Sequence, residues 1–173
     1  MAAVLSVAVA APAAAQLPAL DPISARLLAA HNPERALVQV PPLQWDPFLA
    51  RSAASYGPAL AAAGGRQHSP RASRPGQREN LWMGTRGAFL PEQMIASWAA
   101  GKRYFRPGIF PAVSTTGNWI DVWHYTTMIW PTTTRVGCAT YSTASWDFLI
   151  CRYSPPGNID GRPLLLPPSG EHG

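Results

Sequence analysis

The chain has 173 residues, of which 47% are hydrophobic and 13% charged, a balance that fits one packed domain and excludes a disordered chain. Its net charge of +5 rests almost wholly on arginine, because Lys102 is the only lysine. There is no zinc-finger spacing, RNA-recognition motif or aromatic-basic repeat, so no nucleic-acid partner is expected.

Residues 1–15 are rich in alanine and valine and carry no charged side chain. Ala13-Ala14-Ala15 before Gln16 reads as a small-residue cleavage site, so 1–15 is expected to be a signal peptide. A buried N-terminal helix is the alternative, since no Lys or Arg precedes the apolar run. The segment is shorter than the roughly 20 apolar residues that span a bilayer, and no second run is longer. The mature chain is therefore expected to lack a transmembrane segment and to be secreted or periplasmic.

Asp21-Pro22 can open a helix, with Asp as cap and Pro at the first position. Ile23, Leu27, Leu28 and His31 follow at helical spacing, and Pro33 should kink or end the run near His31. A second helix is predicted from Asp46-Pro47, with Phe48, Leu49, Ala53, Tyr56 and Leu60 on one face and Gly64-Gly65 as its stop. Residues 66–78 form a polar loop carrying Arg66, Arg71, Arg74 and Arg78. Arginine forks suit phosphate or carboxylate, so this loop marks an anionic lipid or envelope polymer as a candidate partner, against a merely solvated loop. Leu81, Trp82 and Met83 make a short apolar patch. Pro91 starts another helix with Met94, Ile95, Trp98 and Lys102, and residues 105–118 are irregular.

The period then changes. Arg135 to Tyr141 and Trp146 to Tyr153 read as the arms of a β-hairpin joined by Ser142 to Ser145. Counted outward from that loop, Tyr141 faces Trp146 and Cys138 faces Leu149. Pairing Cys138 with Cys151 then needs a two-residue offset such as a bulge. Two cysteines in an exported chain favour a disulfide; two buried thiols are the alternative. From Pro163 the chain is Pro/Gly-rich, and 163–173 is expected to be a disordered tail. Helices first and strands later indicate an α+β or α/β sandwich.

Two segments carry a specific resemblance. Trp123-His124-Tyr125-Thr126-Thr127-Met128-Ile129-Trp130 resembles the first signature of the CAP superfamily (cysteine-rich secretory, antigen 5 and pathogenesis-related 1 proteins, or SCP domain), which runs Gly-His-Tyr-Thr-Gln, two apolar residues, Trp. Phe148 to Ile159 matches the second signature at every constrained position. His31-Asn32 with Arg35, Leu43-Gln44-Trp45-Asp46, His68-Ser69 and Glu79-Asn80-Leu81 resemble further landmarks in the right order. The resemblance covers about residues 24–161 and sets a single CAP domain at 20–162. It implies an α+β fold, a three-layer α-β-α sandwich with a central antiparallel sheet, and a Cys138–Cys151 bridge.

The resemblance also implies a cleft with two histidines and two glutamates, which in some members binds a divalent metal. His68, Glu79 and His124 match three of these positions; Gly101 stands at the fourth. Thr127 replaces a glutamine and Trp123 a glycine. His68, His124 and Glu79 are thus candidate ligands for a divalent metal such as zinc, with water in the fourth position, and Glu79 is the candidate base. A hydrogen-bonded network tying helices to sheet is the alternative. Arg71, Arg74 and Trp123 are candidate ligand-binding residues, and Trp82 and Trp119 could line a groove. His31 and Asn158 are expected to be structural. The expected function is a monomeric, non-catalytic binding or interaction module for a lipid or envelope ligand. A divalent-metal-dependent hydrolase of peptide or ester bonds using His68, His124 and Glu79, and a purely structural envelope protein, are the alternatives.

Overall fold

The structure, a computed structural model, describes residues 20–65 and 67–165; the predicted leader and Arg66 lie outside them. Helix α1 (Pro22–Leu37) is capped by Asp21, whose Oδ1 accepts from the amides of Ile23 and Ser24 at 3.1 and 3.0 Å. It runs through Pro33 rather than ending near His31. Buried anchors hold it on both sides of the proline. The Arg35 guanidinium donates to the carbonyls of Pro41, Met128, Trp130 and Thr133 at 2.6–3.0 Å. Those bonds gather the exits of three segments around one fully buried cation. Four carbonyl partners offset the loss of its hydration.

Strand β1 (Gln44–Trp45) leads into α2 (Pro47–Ala54), capped by Asp46, and α3 (Gly57–Ala62) follows. The single helix expected from Asp46 to Gly64 is therefore two. Pro58 explains the break, because it lacks the N–H that a continuous helix would use and fits the first turn of a new one. Strand β2 (Arg78–Thr85) contains the Leu81-Trp82-Met83 patch. Helix α4 (Pro91–Ala99) passes into a tighter 3₁₀ turn, Ala100–Tyr104. Strand β3 (Gly108–Ile109), the 3₁₀ turn Trp119–Val122 and α5 (Trp123–Ile129) precede β4 (Arg135–Ser142) and β5 (Trp146–Ser154). Strand β6 (Pro163–Leu164) pairs with β3, and Leu164 is fully buried. The tail expected to be disordered from 163 thus starts as ordered chain; residues 166–173 lie outside the description.

The main sheet runs β1-β4-β5-β2. Its β2, β4 and β5 are antiparallel, whereas β1 joins β4 in parallel, so the expected antiparallel sheet carries one short parallel edge. Strand alternation sorts the core into two layers. Leu149, Cys151, Tyr153, Val136 and Cys138 face α1, α4 and α5, packing with Leu27, Ile95, Trp98 and Met128. Phe148, Ile150 and Leu81 face the other way, onto Ala53 and Leu60 of α2 and α3. This is the α-β-α sandwich. Gly137 lets α2 sit directly on β4, since a Cβ there would strike the Ala50 amide and the Asp46 carbonyl.

Cys138 pairs directly with Cys151 in the β4–β5 register and the two form a disulfide. No bulge supplies the offset. Instead Ser142 is the last residue of its arm and faces Asp147, and the Thr143 amide donates to the Trp146 carbonyl at 2.8 Å, so the connection is shortened from the β4 side alone and only Ala144 and Ser145 remain between the paired residues.

Candidate functional site

Glu79 and Asn80 are neighbours on β2 and so point to opposite faces of the sheet. Glu79 sits on the α2 side with its side chain fully buried. Its Oε1 accepts from His68 Nδ1 at 2.9 Å and from the Ser69 amide at 3.0 Å. Its Oε2 accepts from Ser69 Oγ at 2.8 Å and lies 3.1 Å from Arg152 Nη2. Arg152, equally buried, also reaches Ser52 Oγ at 2.9 Å and Ser69 Oγ at 3.1 Å. Burial pushes the Glu79 carboxyl up, but the bonds from His68 and Ser69, with the Arg152 charge, outweigh it and hold the group below the usual carboxylate range. Glu79 is therefore an ionised acceptor with both oxygens engaged.

Asn80 faces the other layer. Its Nδ2 donates to the His124 carbonyl at 3.0 Å and stands 3.4 Å from the Tyr153 hydroxyl. That hydroxyl lies 2.8 Å from His31 Nε2, while His31 Nδ1 is 2.7 Å from the Leu27 carbonyl. A carbonyl only accepts, so Nδ1 carries the proton and Tyr153 donates to Nε2. Burial, with the Arg35 charge adding to it and the Leu27 bond opposing, pushes His31 down to about 4, and it stays neutral. His31 is structural, as expected.

His124, in the first turn of α5, stacks on Trp98 with ring centroids 5.9 Å apart. Burial and then the positive charge of His68 push it down to about 4. His68 and Glu79 thus meet directly, and among the described residues no hydrogen bond joins the His124 ring to either of them. Among the described residues no group of three or more His, Cys, Asp or Glu side chains is arranged to hold a metal. The expected set of His68, His124 and Glu79 does not fit a three-ligand zinc centre, because Glu79 has spent both oxygens on protein partners. Gly101 is tightly packed as well. A Cβ at this position would lie 3.0 Å from the Asp121 carbonyl and 3.3 Å from Tyr125 Cβ, so a side chain there needs α5 and the turn before it to give by a few tenths of an ångström.

The arginines divide. Arg74 turns inward, donating to the carbonyls of Ser69 and Gln77 at 3.1 and 3.0 Å, with only 8% exposure. Its guanidinium shapes the 67–77 loop, and the residue also lines a hollow of about 210 Å³ with Arg71 and Arg78. Arg71 is exposed and has no ion-pair partner among the described residues. Arg78, counted among the loop arginines in the sequence, opens β2 instead; it donates to the carbonyls of Gly157 and Asn158, both at 2.6 Å, and lies over the Trp123 ring at 5.4 Å.

Arg71 and Arg78 border a cleft of about 380 Å³ with Phe110, Trp119, Trp123 and Asn158. Trp123, which replaces a glycine, forms its wall, 4.9 Å from Trp119 between ring centroids. Trp82 packs edge-on against Phe89 instead and does not line this cleft. Thr127 Oγ1 donates to the Trp123 carbonyl at 2.9 Å, and Asn158 Nδ2 donates to that carbonyl and to Thr127 Oγ1. Phe110, Asn158 and Arg78 reach the cleft through loop 105–118, the turn after β5 and strand register, which no local sequence pattern signals.

A disulfide-bridged α-β-α sandwich with a His68–Glu79 pair and an aromatic cleft is an α+β domain whose bridge is consistent with an oxidising, extracellular setting. The chain belongs to the CAP, or cysteine-rich secretory protein, family, whose pattern matches residues 28–153. It is 34% identical over 137 residues to pathogenesis-related protein 1C of Nicotiana tabacum, covering 78% of this chain and 76% of that one. It is 31% identical over 135 residues to a PR-1 type pathogenesis-related protein of Sambucus nigra, covering 77% and 76%. The crystal structure of NaASP2 with Zn2+ shares the fold with a TM-score of 0.70 at 19% identity, over 83% of this chain and 85% of that one. Among the described residues no helix is long and apolar enough to cross a membrane.

Proposed function

We propose that this chain is a secreted or periplasmic, non-catalytic binding module that takes an anionic lipid or envelope component at the Arg71–Trp123 cleft. The observation that carries the reading is the saturation of Glu79. A general base must be free to take a proton from water or substrate. Glu79 instead accepts from His68, Ser69 and Arg152 and holds a buried arginine in place. NaASP2 has been seen with Zn2+. Any metal here would rest on His68 and His124, with Glu79 orienting the His68 ring from behind.

The open cation is Arg71, and net charge of +5 favours anionic targets over a whole surface. The test is retention on phosphatidylglycerol vesicles and on acidic-polysaccharide beads at low and high salt, for wild type and Arg71→Ala. Salt-sensitive retention on at least one matrix, lost in the variant, is the expected result. Retention on neither matrix, or esterase or peptidase turnover abolished by Glu79→Gln, would overturn the reading.

A further inference from the structure

Beside the aromatic cleft lies the smaller hollow of about 210 Å³, bordered by Arg71, Arg74 and Arg78 together with Gln77, Pro156 and Ile159. Among the described residues no carboxylate borders it; Asp160 lines the aromatic cleft instead. No aromatic side chain borders it either, so it offers no ring face to a sugar or a base.

Two of the three arginines are fixed before any ligand arrives. Arg74 donates from Nε and Nη1 to the Ser69 and Gln77 carbonyls, and Arg78 from Nε and Nη2 to those of Gly157 and Asn158. Each keeps one terminal nitrogen, Arg74 Nη2 and Arg78 Nη1, without a partner among the described residues. Neither belongs to the unpartnered atoms that burial closes to solvent. Arg71 is exposed and has no ion-pair partner among the described residues. A seat with two members already held loses less side-chain freedom on binding than three mobile cations would.

The local carboxylates do not balance these charges. Glu79 Oε1 stands 4.0 Å from Arg74 Nε, but the same carboxylate serves Arg152, His68 and Ser69. Burial, then the positive charges of Arg71 and Arg74, push the Arg78 guanidinium down from its ordinary range, and Asp160 opposes them. Four guanidiniums, Arg152 included, thus share Glu79 and Asp160. Arginine does not shed its proton in proteins, so the repulsion persists until an anion enters.

The size and the charge surplus select the anion. About 210 Å³ is below the roughly 300 Å³ at which pockets for whole small molecules begin. A carboxylate brings one charge and two oxygens. A phosphomonoester brings about −1.5 to −2 and three acceptor oxygens, which planar guanidinium forks match. From the convergence of Arg71, Arg74 and Arg78 on a hollow without a carboxylate, we infer that it binds the phosphate of a phosphomonoester, carried by a soluble ester or by a lipid headgroup. The seat uses none of the aromatic wall, so it stands or falls apart from the binding-module reading.

The test uses the whole protein, with glycerol 3-phosphate as probe and acetate as the carboxylate control, by calorimetry at constant ionic strength. Glycerol 3-phosphate should bind about tenfold or more tighter than acetate, and Arg71→Ala should weaken it about tenfold, the scale of one charge-assisted contact. Ile159→Glu sets a carboxylate at the hollow and should abolish binding, whereas Ile159→Gln, of the same shape without the charge, should lose far less. Asp160→Asn removes an opposing charge and should tighten it. In nitrogen-15 spectra the Gly76 amide signal should move to saturation. Retention on vesicles of phosphatidylcholine with phosphatidic acid, displaced by glycerol 3-phosphate, assigns the phosphate to a lipid; ester binding without retention assigns it to a soluble ester.

Equal affinity for glycerol 3-phosphate and acetate, binding undiminished in Arg71→Ala, or equal loss in Ile159→Glu and Ile159→Gln would overturn the inference. If phosphatidylglycerol vesicles are retained and glycerol 3-phosphate does not bind, the inference falls while the binding-module reading stands. If the ester binds and neither phosphatidylglycerol vesicles nor acidic beads are retained, the reading falls while the inference stands.

Discussion

Gly101 shows how closely a single position is fitted to its neighbours. Resemblance marks its position as that of a second glutamate, and the obvious repair would be Gly101→Glu. The Asp121 carbonyl 3.0 Å from its would-be Cβ opposes this. The obstacle is main chain, which cannot move aside as a long side chain can. Gly101→Glu should therefore destabilise the fold by about 1–3 kcal/mol, the usual range for overpacking, and should not create tighter zinc binding. Urea unfolding and zinc calorimetry on the same variant check both parts; a variant of undiminished stability that binds zinc more tightly than wild type would refute the argument. Glu79 makes the complementary point. The same carboxylate reads as a base in sequence, yet Arg152, 73 positions away by the numbering, turns it into a structural ion. Only the β2–β5 register, Glu79 opposite Arg152, brings them together.

At the scale of elements, local signals were legible where capping chemistry or alternation was strong. Asp21-Pro22, Asp46-Pro47 and Pro91 open helices as their sequences indicate, and the two arms of the hairpin fall within a residue of expectation. Pro33 misled because its local penalty is overridden by the carbonyl bonds of Arg35, all to residues outside α1. Strand β2 hid because both its faces are covered, so its apolar residues run together instead of alternating. The cleft was the least legible part. Phe110, Arg78 and Asn158 lie on three separate segments and meet only through tertiary packing. The hairpin offers a clean test. Its bridge ties adjacent strands, and in the chain-entropy model a loop near 15 residues is worth about 3 kcal/mol. Replacing Cys138 and Cys151 together by serine should lower unfolding free energy by that order, read by denaturant melts under oxidising conditions. Reducing agent should weaken wild type and leave the double variant unchanged.

For the whole molecule, buried titratable groups set the response to acid. His31 and His124 are both pushed down to about 4 in the fold, His31 by burial, the Arg35 charge adding to it and the Leu27 bond opposing, and His124 by burial, then the His68 charge. The unfolded chain would take up those protons near 6.5. Between these values the unfolded state binds more protons, so stability rises with pH across the window. The contribution is complete above about 6.5 and is lost as pH falls towards about 4. Glu79, held below the usual carboxylate range, adds a further loss in more acidic solution. Thermal melts should be level from pH 7.5 to about 6.5 and show a steady fall in Tm from there to 4, with a shallower slope in His124→Gln. An unchanged slope would show that His124 is not a buried neutral group.

The tight packing at Gly101 also bears on redesign. A carboxylate at that position is a change of two segments and not of one residue, because the Asp121 main chain has to give by a few tenths of an ångström before a side chain fits. Building one there therefore starts from the turn that precedes α5, and the glycine is replaced last.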